Sequence, residues 1–236
     1  MLTLNDTQAL ASEVVEILTK EAKIQSISVG NYEKIHYPKY LPFFRFIVKK
    51  FGVKDFGNLM IMQTKAMGGM RLLTMSFTPN LGTDIPYLLI DCMSVGKKRA
   101  VFIEYYDHTE KKQVPISLLK IARQYEYLPD YKETSAWYVS LRTKYSLIKG
   151  NTREEEPELI KMLLKTVKAY GKLSQNVSGD ISENLNKLQT FRKRMIKEGN
   201  PSSKILTRVL GEKGAKSFYC NIIMPIKEDE KGVGIR

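Results

Sequence analysis

Residues 70–107 run Met70-Arg-Leu-Leu-Thr74-Met-Ser-Phe-Thr-Pro79, Asn80-Leu-Gly-Thr-Asp-Ile85, Pro86-Tyr-Leu-Leu-Ile-Asp91-Cys-Met-Ser-Val95, Gly96-Lys-Lys98, Arg99-Ala-Val-Phe-Ile-Glu104-Tyr-Tyr-Asp107. The spacing predicts strands over 70–78, 86–93 and 99–106, broken at Pro79–Gly82 and Gly96–Lys98. Turns this short join antiparallel neighbours, because a parallel crossover takes a dozen or more residues. The strands are apolar on much of both faces, so helices are expected on both sides of the sheet. The middle strand carries Asp91 directly after Tyr87-Leu88-Leu89-Ile90. An ion there is unfavourable unless partnered or protonated. A carboxyl in an apolar wall keeps a proton near neutral pH. Asp91 is therefore read as the centre of a site. The competing reading is a strand-end aspartate held by backbone amides, Lys98 or Arg99.

Outward from this meander, Asn58–Thr64 is a further strand candidate and Gly68-Gly69 a turn. Residues 5–22 place Leu10, Val14, Ile17 and Leu18 on one helical face, with Asn5 or Thr7 as cap. Residues 25–57 mix aromatics with Gly30 and Pro38, and Tyr40, Phe43, Phe44 and Phe46 are expected on a short helix. A helix follows Pro115 to about Tyr127, then a loop over 128–143 with the only tryptophan, Trp137. Tyr145–Lys149 reads as a strand. Pro157 sits in the first turn of a long helix. Ser178 or Asp180 caps another over 181–197. Asn200-Pro201 starts a last helix that Gly211 ends, before an apolar segment over 215–225. No linker divides the chain. The expectation is one domain over 1–226 and a charged tail over 227–236, in an α/β fold of three α/β/α layers around a central antiparallel sheet.

Composition narrows the function. The 236 residues are 43% apolar, enough for a core. No apolar run approaches the roughly 20 residues of a membrane span, and residues 5–22 carry charges unlike a signal peptide. Cys92 and Cys220 are the only cysteines, so there is no disulfide framework or CxxC knuckle, and a reducing cytoplasm is expected. There is no GxGxxG after a strand, no P-loop and no GxSxG elbow. His36 and His108 lack metal-ligand spacing, and no metal is expected. His108 beside Asp107 reads as a surface residue before a base. The cluster Met60, Met62, Met67, Met70 and Met75 is plastic core packing or the lining of a pocket for a large flat ligand. Net charge is +13, partly in the runs Arg192-Lys193-Arg194, Lys97-Lys98-Arg99 and Lys111-Lys112, which favours acidic partners or leaves a solvated surface. Nucleic-acid binding would want aromatics among Lys and Arg on an open sheet face, and these strands are too apolar for that.

The segment from Thr74 through Pro79 and Pro86 to Asp91 resembles the ferredoxin-dependent bilin reductases, in which one proline ends a strand, a second opens the next and an aspartate follows. Asn200-Pro201-Ser202-Ser203-Lys204-Ile205-Leu206-Thr207-Arg208-Val209-Leu210-Gly211-Glu212 resembles the closing helices of that family. Tyr145–Lys149, with Asn151 and Glu154-Glu155-Glu156, resembles the strand before its long helix. The resemblance runs mainly over 56–107 and 144–225.

It implies an α/β/α sandwich holding a linear tetrapyrrole such as biliverdin between the sheet and the C-terminal helices. No metal or flavin is bound. Ferredoxin supplies single electrons, the bilin passes through radical states, and acidic side chains supply protons. The basic charge suits an acidic ferredoxin and bilin propionates. By the same resemblance Asp91 is the proton donor. Thr74 stands at a histidine position and Met62 at a glutamate position of the best-known member. Lys149 stands where an arginine meets a propionate, without its bidentate fork. Asn200 stands at a second acidic position, where it can orient a ring but not protonate it; the residues alone read it as an ordinary helix start. The implied protein is a monomeric cytoplasmic oxidoreductase. The alternatives are a pocket on the same fold that binds a tetrapyrrole or hydrophobic acid without reducing it, and a nucleic-acid or acidic-protein adaptor.

Overall fold

The computed structural model describes residues 2–38, 40, 43–83, 85–107, 115–133, 136–175, 180–200 and 202–226. His108, Lys111, Lys112, Ser178, Pro201 and the tail from 227 lie outside them. The quoted stretch forms three antiparallel strands, which we label β5 (Arg71–Pro79), β6 (Tyr87–Val95) and β7 (Lys98–Tyr106). Before them come α1 (Thr7–Glu21), β1 (Ile24–Ile27), β2 (Lys34–Tyr37), β3 (Phe44–Val53) and β4 (Gly57–Ala66). After them come α2 (Ile116–Gln124), β8 (Leu147–Lys149), α3 (Glu156–Gly171), α4 (Ile181–Lys197) and α5 (Ser203–Phe218), the last running into a π turn, Tyr219–Ile223. The sheet order is β1-β3-β4-β5-β6-β7-β8, all antiparallel, with β2 also paired to β3. β1 and β2 lie end to end along β3, against Lys50–Val53 and Phe44–Ile47 respectively.

The expected short helix over the aromatic stretch is absent. Phe44 and Phe46 open the ten-residue β3, Phe43 lies in a bend and Tyr40 is exposed. Phe46, Val48 and Lys50 are buried while Arg45 and Lys49 are exposed. That period of two belongs to a strand.

Each face of the sheet carries its own core. On one, α1, α2 and α3 pack on Ile61, Leu73, Met75, Phe77, Ile90, Val101 and Ile103. Burying one such aliphatic side chain contributes about 1.5–3 kcal/mol. Tyr170 of α3 meets Phe56 and Phe77 edge-on at 5.1 and 5.3 Å, and its hydroxyl donates to Pro86 O at 2.5 Å. On the other face, α4, α5 and the π turn pack on Phe46, Val48, Met60, Met62, Tyr87 and Tyr106. Polar ties hold this second layer. Ser76 Oγ donates to Ile223 O (2.5 Å), and Asn184 Nδ2 donates to Leu81 O and Thr83 O in the β5–β6 turn (2.8 and 3.0 Å). Asp180 caps α4 by accepting from Glu183 N. Gly211 (φ 70°, ψ 168°) breaks the α5 path, where the sequence placed a helix end. The result is the three-layer α/β/α sandwich.

Candidate functional site

Strand parity decides what the site contains. In register, Val48, Met62, Thr74, Asp91, Phe102 and Ile148 form one cross-strand row, on the face turned to α4 and α5. Two residues along, Met60, Ser76, Leu89 and Glu104 form the next row on that face. The helices do not close down completely there. A cavity of about 360 Å³ remains, within the roughly 300–1,000 Å³ range of small-molecule sites. Its floor holds Met62, Thr74, Leu89, Asp91, Phe102 and Glu104; Met195 of α4, Tyr219 of the π turn and Asn200, between α4 and α5, line it from the other side, and Tyr131, Tyr138 and Arg142 close one side. A second cavity, about 290 Å³, lies beyond Tyr87 against Phe191 of α4.

Thr74 donates to Asp91 Oδ1 at 2.5 Å. Asp91 retains some exposure because it fronts the cavity, yet it lies deep in the fold. Burial pushes its carboxyl up to about 6, and the Thr74 hydroxyl, which favours the ionised form, holds it from rising further. Glu104 is buried as well. Burial pushes it up to about 7, with the Asp91 charge adding to the rise and Arg142 opposing it. Arg142 pairs with both Glu104 and Glu133, and its guanidinium lies 5.5 Å from the Tyr138 ring centre. The Tyr87 and Tyr219 hydroxyls are driven upward by burial and stay neutral. The loop after Tyr131 is anchored by Trp137, whose Nε1 donates to Gly199 O (2.8 Å) and whose ring lies under Arg194.

Four of the five expected site residues line the cavity: Asp91, Thr74, Met62 and Asn200. Asn200 also shapes the turn into α5. Its Oδ1 accepts from Ser202 N at 2.9 Å and its amide donates to the Tyr219 hydroxyl. The described part of α5 begins at Ser203, and Pro201, expected as the first helical residue, lies outside the described residues. Neither Lys98 nor Arg99 holds Asp91: Arg99 turns to Glu156 (3.2 Å) on the opposite face.

Lys149 is the correction. It pairs with Val101, not Phe102, so its side chain leaves the face opposite the cavity. There Nζ donates to Glu126 O, Leu128 O and Asp130 Oδ1 at 3.1, 3.0 and 2.7 Å. It is a structural cation, and the basic residues on the cavity wall are Arg142 and Lys132. Lys149→Met should therefore lower the unfolding free energy by about 1–3 kcal/mol, because it strands buried carbonyls. Ligand affinity measured by titration should not change.

Glu104 and Arg142 carried no role in the sequence reading. Glu104 follows Val101-Phe102-Ile103 as Asp91 follows Leu88-Leu89-Ile90, and the argument applied to Asp91 finds it. Arg142 lies in a loop with no periodicity and has no such signal. Among the described residues no group of three or more His, Cys, Asp or Glu side chains is placed to hold a metal. No helix among them is long and apolar enough to cross a membrane.

No protein-family model matches the chain, and no curated protein matches it in sequence. Among solved structures it is similar to the crystal structure of selenomethionyl phytochromobilin synthase from tomato in complex with biliverdin. The TM-score is 0.72 at 13% identity, over 92% of this chain and 82% of that one. The two proteins share a fold, and at this identity the likeness speaks to the fold alone.

Proposed function

We propose that this protein binds a linear tetrapyrrole of the biliverdin type between the sheet and α4–α5 and reduces it with electrons from ferredoxin. The observation that carries the reading is a pair of carboxyl groups, Asp91 and Glu104, set in the wall of an apolar cavity where burial pushes them up to about 6 and about 7, so that each can hold a proton under mildly acidic conditions. Reducing one double bond takes two electrons and two protons. Two reduced ferredoxins each give up one electron, and the two carboxyls supply the protons. Thr74 steers the Asp91 proton by fixing Oδ1. Asn200 and Tyr219 orient the ligand from the helical side. Lys132 at the rim and Arg142 take the propionate position first assigned to Lys149. The cavity beyond Tyr87 gives a long ligand further room. Chemistry would proceed in the monomeric, cytoplasmic protein without a resident metal or flavin.

Biliverdin titrated anaerobically into the protein should shift its visible spectrum, and reduced ferredoxin should then convert it to a reduced bilin. No shift on mixing would overturn the reading. A second reading, binding without reduction, is favoured by Thr74, Met62 and Asn200, none of which donates a proton. A spectral shift followed by no conversion would select it. For the enzyme, turnover should be fastest below about pH 6. It should fall as pH rises through 6 to 7, where Asp91 and then Glu104 lose their protons. A pH profile of single-turnover rates checks this.

A further inference from the structure

The face opposite the cavity is not fully covered. α1 lies over β4 and β5 only as far as Thr7 and Gln8, which reach Gln63. Beyond that point, in register, come His36 of β2, Arg45 of β3, Lys65 of β4 and Arg71 of β5. Residues directly opposite on antiparallel neighbours share a face, so these four side chains stand in one row. At about 4.8 Å per strand the row spans about 14 Å. Lys34 and Lys49 stand on the same face beside it. Arg71 is half-buried and the other five are exposed.

Like charges directly opposite each other are destabilising in a sheet. Where the row continues to Arg99, the charge is buried and neutralised by Glu156. Along the exposed part this does not happen. Among the described residues no carboxylate pairs with Lys34, Arg45, Lys49, Lys65 or Arg71; Arg71 donates only to Met70 O. The row is also close to the cavity. Leu72, next to Arg71, lines it, and Thr74 is three residues along β5, about 10 Å away. The apolar neighbours on this face, Ile47 and Phe51, are half-buried, so among the described residues these strands offer no exposed aromatic platform for bases.

We propose that this basic row is the docking surface for an acidic electron-carrier protein, the ferredoxin of the reaction proposed above, on which the partner's identity rests. The carrier would sit across β3–β5 and deliver one electron at a time through the sheet to the ligand on the far side. Two carriers are oxidised per bond reduced.

The test is calorimetric titration of an acidic [2Fe–2S] ferredoxin into the full chain at low and moderate salt. The wild type is compared with Arg45→Glu/Lys65→Glu and with a control of equal charge change on the helical layer, Lys120→Glu/Lys168→Glu. The row variant should bind at least about tenfold more weakly and lose most of its salt dependence, while its biliverdin titration is unchanged. The control should bind nearly as wild type. Lys65→Glu alone sets a carboxylate between two guanidinium groups. It should fold at least as stably as wild type, which separates docking from misfolding. Equal ferredoxin affinity in row variant and wild type, equal loss in the control, or no ferredoxin binding at all would overturn the proposal. So would a row that captures single-stranded nucleic acid in preference to ferredoxin. Ferredoxin docking through the row in a protein that ignores biliverdin would uphold the surface and sink the reductase reading.

Discussion

Asp91→Asn should bind biliverdin about as wild type does and reduce it at least about a hundredfold more slowly, since a positioned acid contributes about 10²–10⁴ in rate. The asparagine fills the same space and still accepts from Thr74, so the cavity keeps its shape; only the proton is lost. Stability gives an independent readout. The Asp91 carboxyl titrates near 6 in the fold against an ordinary 3.8. Its contribution is therefore fully present below about pH 4 and is lost as pH rises through 6. At about 1.4 kcal/mol per unit, the loss reaches about 3 kcal/mol. The asparagine variant escapes it. Relative to wild type it should gain about 2–3 kcal/mol between pH 4 and pH 8 in urea unfolding. A variant with full turnover, or a gain that does not depend on pH, would remove Asp91 from the role of proton donor.

Arg142→Met should lower the unfolding free energy by about 1–2 kcal/mol at pH 8, because Glu104, buried without its partner, must take up a proton there. The sign with pH follows from the same carboxyl. Glu104 already titrates near 7, and without Arg142 it rises further, so in acid it stays neutral and the loss shrinks. Adding Glu104→Gln should recover most of the stability at pH 8. If the double variant is no more stable than the single one, Arg142 serves the fold through packing on Tyr138 and not through Glu104.

Much of this architecture was legible before any coordinates. Pro79, Pro86 and the Gly96 turn are local features, and local turns fix which neighbours pair. The amphipathic helices at 7–21, 156–171 and 181–197 declared themselves by period. Asp91 stood out because a charge after an apolar run is a contradiction within five residues. What could not be read depended on distant pairing. Phe44 and Phe46 carry the right alternation, but nothing near them says strand until β4 supplies a partner. Lys149 shows the limit most sharply. Its strand is three residues long and no tight turn joins it to β7, so a shift of one residue decides which face its side chain takes. The resemblance gave its place in the chain and not its direction. Arg142 meets Glu104 only because the loop folds back over β7.

The sheet's margins have a consequence for how the protein behaves in concentrated solution. Ten-residue β3 is met on its outer side by two four-residue pieces, and the far margin ends in a three-residue strand. A broad, greasy pleated layer bordered this way offers no long run of unpaired amides to a stray chain. Self-templated growth into fibrils is thereby discouraged without a single residue of the cleft being committed to the task.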